Sequence, residues 1–153
     1  SVDVLSDGEY LATYARVPLG AKRDDEFADR NVIIYGNADS NAAWESLLKD
    51  SRVQVRRSRV QIGDRVELGE DLGCLFVQPR PGSDLATVGV VSGSGVAGMR
   101  LTDRLPYFVS GVAYPDCMVF DSEILTKGIS GIHAAGFFGL DWTVSAGEFA
   151  WRD

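Results

Sequence analysis

Apolar residues in this chain fall in short runs rather than long stripes. NVIIYG at 31–36, GCLFVQ at 73–78, TVGVV at 87–91 and CMVF at 117–120 are each bounded by Gly, Pro, Asp or Ser. Short β-branched and aromatic runs between such residues predict buried strands. After the first run the period changes. Ala43, Trp44, Leu47 and Leu48 recur at helical spacing, which predicts an amphipathic helix over Ala42–Asp50. Asn37, Asp39, Ser40 and Asn41 offer N-caps for it, and Glu45 and Lys49 suit its dipole. The sequence from Asn31 to Val55 therefore reads as the start of a βαβ unit, whose parallel strands require a right-handed crossover. A second helix is expected after Ser92-Gly93-Ser94-Gly95, with Val96, Met99 and Thr102 on one side. One or two helical turns are expected within Ser122–Lys127.

Between Val53 and Leu68 the pattern alternates. Val60 and Ile62 alternate with Arg59 and Gln61, and Val66 and Leu68 with Arg65 and Glu67, around a Gly63-Asp64 turn. A two-residue loop would pair Ile62 with Arg65 and mix apolar with charged side chains on one face. Pairing Ile62 with Val66 across a three-residue loop, Gly63–Arg65, keeps the faces uniform and is the expected register. The end of the chain, Gly128–Trp151, is rich in glycine and large rings (Phe137, Phe138, Trp142, Phe149, Trp151). It predicts tightly turned chain packed on a sheet edge, with a strand or two.

Strands alternating with helices predict an α/β fold. The expectation is a single three-layer domain with an open, mainly parallel (mixed) sheet and an antiparallel β-hairpin. A length of 153 residues suits one domain with a substantial core. Residues 31–151 would form that core, and residues 1–30 an extended lead-in and a charged loop. In the lead-in a β-compatible run (Tyr10, Ala12, Tyr14, Ala15) ends at Pro18 and Gly20. The loop Lys22–Arg30 carries seven charges in nine residues around Phe27, as a solvated segment or a docking edge for a partner domain. The opening SVDVLSDGEY reads as a domain cut from something longer.

A formal charge of −7 argues against general nucleic-acid binding. No apolar window reaches the ~18 residues of a membrane span. Arg52, Arg56, Arg57, Arg59 and Arg65 make a basic patch on this acidic chain, either a polar hairpin face or a surface for an anionic ligand or acidic partner. Cys74 and Cys117 lie in apolar runs, where two buried free thiols and a disulfide are both open.

The candidate chemistry gathers at the glycine-rich turn. Gly93, Gly95 and Gly98 spell GxGxxG between an expected strand and an expected helix, where unpaired N–H groups can receive an anion. Arg100 and Arg104, one helical turn apart, would assist. Ser92, Gly93, Ser94, Gly95, Gly98, Arg100, Arg104 and His133 are thus the candidate ligand-binding residues. A dinucleotide site would also need an acidic residue ~20 positions on. Asp121 lies 28 residues beyond Gly93, and Leu105–Gly111 between them is not helix-like, so a tight structural turn is the competing reading.

His133 is the single histidine. Ser92 or Ser94, Asp116 or Asp121, then His133 copies the chain order of α/β hydrolases, but the GxSxG elbow is absent and no catalytic residue is assigned. One His and two distant Cys give no zinc spacing. Asp24, Asp25 and Glu26 are adjacent and cannot converge on one ion. Asp64, Glu67, Glu70 and Asp71 lack the pattern of a dedicated calcium loop. No metal or cofactor is implied.

Three blocks carry a resemblance: NVIIYGNADSNAAW at 31–44, VGVVSGSGVAGMRLTDRLPYFVSGVAYPD at 88–116 and GIHAAGFFGLDW at 131–142. They resemble the C-terminal region of large bacterial prolyl-oligopeptidase-like or esterase-like α/β-hydrolase proteins. The resemblance implies a non-catalytic accessory or interaction domain of a larger hydrolase, exported to the periplasm or secreted. Its partners would be other domains of the same polypeptide, with no nucleic acid and no membrane. The alternative expectation is a small-anion or nucleotide-binding domain using the turn at 92–98.

Overall fold

The computed structural model describes residues 2–6, 29–107 and 111–152. The Tyr10–Ala15 run and the charged loop up to residue 28 lie outside the described residues. The chain forms β1 (Val2–Ser6), β2 (Asn31–Tyr35), α1 (Ala43–Leu48), β3 (Val53–Arg56), β4 (Arg59–Ile62), β5 (Arg65–Leu68), β6 (Gly73–Pro79) and β7 (Thr87–Gly93). Then follow α2 (Val96–Thr102), β8 (Cys117–Phe120), α3 (Ile124–Lys127), a 3-10 turn, β9 (Ile132–Phe137) and β10 (Glu148–Trp151).

Seven strands make one sheet in the order β1-β2-β7-β6-β8-β9-β10, and β3-β4-β5 make a second. Only β1, β2 and β7 run parallel. Every other pairing is antiparallel. The expected three-layer, mainly parallel α/β architecture is therefore incorrect, and so is a Rossmann-like reading: this is a mostly β structure with short helices. The physical reason is local ambiguity. A buried run of four to seven residues has the same composition in a parallel or an antiparallel ladder. The expected βαβ unit fails at its third element, because β3 leaves α1 to pair with β4 rather than returning beside β2.

Strand alternation divides the large sheet's core in two. Val32, Ile34, Val88, Val90, Cys74, Phe76, Cys117 and Val119 face α1 and the small sheet, where Trp44, Leu47, Leu48, Val53, Val55, Val60 and Ile62 meet them. Val91, Leu75, Met118 and Phe120 face the opposite side, beneath Leu101 of α2. Just before α1 the Asn41 side-chain oxygen accepts the Ala43 N–H at 2.9 Å, while the N-cap position is Ala42, which makes no side-chain capping bond. On α2 the buried residues are Gly98, Leu101 and Thr102, with Met99 packed against the same cluster, so of the expected face only Val96 is exposed.

The β4–β5 hairpin departs from expectation. Ile62 pairs with Arg65 and Val60 with Glu67, so the loop is the two-residue Gly63-Asp64 turn, with Gly63 at φ 57°. Shifting the register by one residue exchanges the two faces of β5. Val66 and Leu68 are exposed, while the opposite face of β5 carries half-buried Glu67 and Arg65, itself exposed. Arg65 lies 4.5 Å from the centroid of the Trp151 ring. Cross-sheet contacts from polar side chains outweigh the uniform faces that alternation alone favours.

Candidate functional site

A cleft of about 850 Å3 opens where β2 and β7 end side by side. Its walls come from the ends of those strands and the segments that leave them: Tyr35, Asn37 and Ser40 at and after the end of β2, and Gly93, Ser94 and Gly95 at and after the end of β7. Arg57 reaches it from the β3–β4 turn, Glu70 from the β5–β6 connection, Arg100 and Asp103 from α2 and the residue after it, and Tyr107 from the following loop. Burial, together with a hydrogen bond to Tyr35, pushes the Tyr107 phenol above its ordinary range, so it stays a neutral donor. The Asn37 side-chain amide donates to the Gly93 carbonyl at 2.9 Å, joining the two walls.

The glycine-rich turn forms the cleft floor, and its glycines are required by packing. A Cβ on Gly93 would lie 2.3 Å from the Met99 nitrogen, one on Gly95 2.4 Å from the Glu70 carbonyl oxygen, and one on Gly98 2.1 Å from the Leu72 carbonyl oxygen. The approach that a dinucleotide site reserves for pyrophosphate is taken at Gly95 by protein backbone. Ser94 is spent in the same contact. Its hydroxyl donates to the Gly69 carbonyl at 2.6 Å and accepts the Leu72 N–H at 3.1 Å. Of the expected ligand-binding residues, Gly93, Ser94, Gly95 and Arg100 line the cleft, whereas Ser92, Gly98, Arg104 and His133 do not. Ser92 is fully buried, with a hydroxyl that has no hydrogen-bond partner among the described residues.

His133 belongs to a separate polar cluster. Along β8 and β9, Val119 pairs with Ala134 and Phe120 with Ile132, which leaves His133 as the unpaired residue of a β-bulge. Bulges re-aim side chains. Here the imidazole lies between two carboxylates, with Nδ1 3.0 Å from Glu67 Oε2 and Nε2 2.7 Å from Asp121 Oδ2. Arg152 approaches the same ring and bonds Asp121 at 3.2 Å. Burial works to raise the Asp121 pKa, but hydrogen bonds from His133, the Glu123 N–H and Arg152 outweigh it and hold the carboxyl below its ordinary value. Both ring nitrogens face acids, and no serine hydroxyl is among the ring's partners. Of the Ser–Asp–His order in the sequence, Asp121 and His133 meet, whereas Ser94 is bonded to Gly69 and Leu72 instead.

The other candidate clusters also disperse. Among the described residues no group of three or more His, Cys, Asp or Glu side chains is arranged to hold a metal ion. Glu67 goes to His133, Glu70 to the cleft, and Asp71 accepts the Ser122 hydroxyl at 2.6 Å. In the arginine cluster, Arg56 pairs with Asp39 at 2.7 Å while Arg57 and Arg65 point elsewhere. Cys74 and Cys117 are buried free thiols. A hydrogen bond between them, and burial, push the Cys117 thiol well above its ordinary pKa.

The sequence reading missed Tyr35, Asn37, Ser40, Asp103 and Tyr107 in the cleft and Arg152 in the cluster. Asn37 and Ser40 read in the sequence as helix caps, Arg57 as part of an arginine patch and Glu70 as part of an acidic group, none of which points to the cleft.

No family profile matches the chain. It is 32% identical, over 126 residues, to a protein of the fungus Arthroderma benhamiae named "Uncharacterized secreted protein". The match covers 80% of this chain and 13% of that protein, so the chain spans a small part of the length of the curated relative it matches. No solved structure matches. These findings correct the resemblance drawn from the three sequence blocks. The relative is fungal and its name assigns it no hydrolase activity, and the mostly β fold is not the α/β architecture that was expected. A bacterial prolyl-oligopeptidase-like or esterase-like parent is unsupported.

Proposed function

We propose that this chain is a non-catalytic binding domain that takes a small polar molecule bearing an anionic group in the cleft between β2 and β7. The observation that carries this reading is the pair of guanidinium groups at that opening. Arg57 and Arg100 both line it, and neither makes a side-chain hydrogen bond or ion pair among the described residues. Guanidinium is suited to planar bidentate recognition of carboxylate and phosphate oxygens. Glu70 and Asp103 on the rim accept hydrogen bonds from hydroxyl or amino groups elsewhere on the ligand, which favours a polar molecule over a bare ion. His133, held on both nitrogens by acids, supports a binding rather than a catalytic role.

The test is thermal unfolding in the presence of orthophosphate, sulfate, citrate, a nucleoside monophosphate and a sugar phosphate. At concentrations far above Kd a bound ligand raises the melting temperature by mass action. The expected result is a rise with at least one probe that is lost in the Arg57→Gln/Arg100→Gln double variant. A flat response to every probe overturns the proposal.

The small share of the relative that the chain matches supports a role as one segment of a longer polypeptide, with neighbouring segments as its partners. The relative's name supports export of this chain as well. Immunodetection of the native protein in culture medium rather than in cell lysate is the expected outcome.

A further inference from the structure

A second, smaller cavity of about 220 Å3 lies away from the cleft, beside the loop between β9 and β10. Two aromatic rings, Phe138 and Trp142, and the polar side chains of Asp50, Arg52, Gln78 and Asp141 line it. Trp142 has φ 59°, a left-handed conformation that a bulky residue adopts only against steric cost. It nevertheless leaves 39% of its surface exposed, so burial of the indole does not account for its place. The ring stands 6.2 Å from Phe138, tilted by 42°.

The polar wall is set in place and only partly used. The Asp141 Oδ1 oxygen accepts the Thr143 N–H at 3.0 Å and the Thr143 hydroxyl at 2.8 Å, and both of these bonds leave Oδ2 aside. Those two bonds, with the nearby charge of Arg52, hold the carboxyl below its ordinary pKa. The Gln78 amide nitrogen donates to the Leu47 carbonyl at 3.3 Å, which leaves its oxygen as an acceptor.

From this arrangement we infer that the Trp142 cavity is a carbohydrate-binding subsite that takes one sugar ring of an oligosaccharide. The electron-rich indole face suits the C–H face of a pyranose, and hydroxyls at the ring edge meet acceptors on Asp50, Asp141 and Gln78 and donors on Arg52. Arg52 among the acids disfavours a simple cation, and the two carboxylates disfavour an anion. A neutral polyol is the remaining match.

Titrating the chain with cello-, chito-, laminari- and malto-oligosaccharides, followed by intrinsic tryptophan fluorescence, tests the assignment. Saturable binding of at least one series is expected, weakened at least tenfold in Trp142→Ala and in Asp141→Asn. The asparagine keeps the oxygen that Thr143 bonds, so it carries the test even if Trp142→Ala fails to fold. The Arg57→Gln/Arg100→Gln variant is expected to bind the sugar normally, which separates this site from the cleft. Absence of binding by all four series at millimolar concentration overturns the inference, as does binding unchanged in Asp141→Asn.

Discussion

Glu67 Oε2 lies 3.0 Å from His133 Nδ1, linking an edge strand of the small sheet to a bulge in the large one. Neither residue would face the other in regular structure. The two-residue Gly63-Asp64 turn brings Glu67 inward, and the unpaired position on β9 frees His133 to meet it. The same ring bonds Asp121, so three segments distant in sequence share one imidazole.

Asp121 is the best-satisfied acid in this cluster. Asp121→Asn is expected to cost about 2 kcal/mol at neutral pH, the scale of a lost charge-assisted hydrogen bond. Its folded-state pKa is depressed, so its contribution is fully present above the ordinary aspartate value, near 3.8, and is lost as the pH falls through the lower folded value. Urea unfolding at several pH values between neutral and acid should show a smaller acid-side loss for the variant than for the parent chain.

Ser92 and Ser94 sit two residues apart and should respond in opposite ways. The Ser92 hydroxyl is buried without a partner among the described residues, so Ser92→Ala is expected to be neutral or stabilising by up to about 1 kcal/mol. Ser94→Ala strands the Leu72 N–H and the Gly69 carbonyl and is expected to cost about 2 kcal/mol. Denaturant midpoints for the two variants decide the matter.

Gly98→Ala would press a methyl group to 2.1 Å from the Leu72 carbonyl oxygen. Backbone cannot yield as a flexible side chain does, so a loss of about 3 kcal/mol is expected. Gly82→Ala meets no atom within 4 Å but must adopt φ 78°, and is expected to cost about 1 kcal/mol. Comparing the two variants separates steric collision from backbone strain.

Leu68 is 75% exposed at the end of an edge strand. Leu68→Lys should change stability by less than about 0.5 kcal/mol. It should also slow aggregation at high concentration, measured by light scattering, because a charged side chain blunts an open strand edge.

Much of the fold was legible where a local pattern settles local structure. The 31–36, 73–78, 87–91 and 117–120 runs all contain strands, and Trp44, Leu47 and Leu48 form the buried face of α1. Pairing was not legible. Ile62 facing Arg65 contradicts the alternation rule because Glu67 and Arg65 find partners, His133 and Trp151, that lie more than sixty residues away in the chain. The cleft was half legible. Its floor shows in the sequence as glycine, but the reason for Gly95 and Gly98, the Glu70–Leu72 backbone pressed against them, exists only once the sheets have assembled.

The six residues from Glu67 to Leu72 hold the histidine cluster at one end and the Ser94 hydroxyl at the other, with Glu70 on the cleft rim between them. Insertion or deletion within this span cannot be absorbed by a change of loop shape. Lengthening it by a single residue would pull either the imidazole's acid or the cleft's floor out of place. Related chains that vary freely in loop length should therefore hold this interval constant.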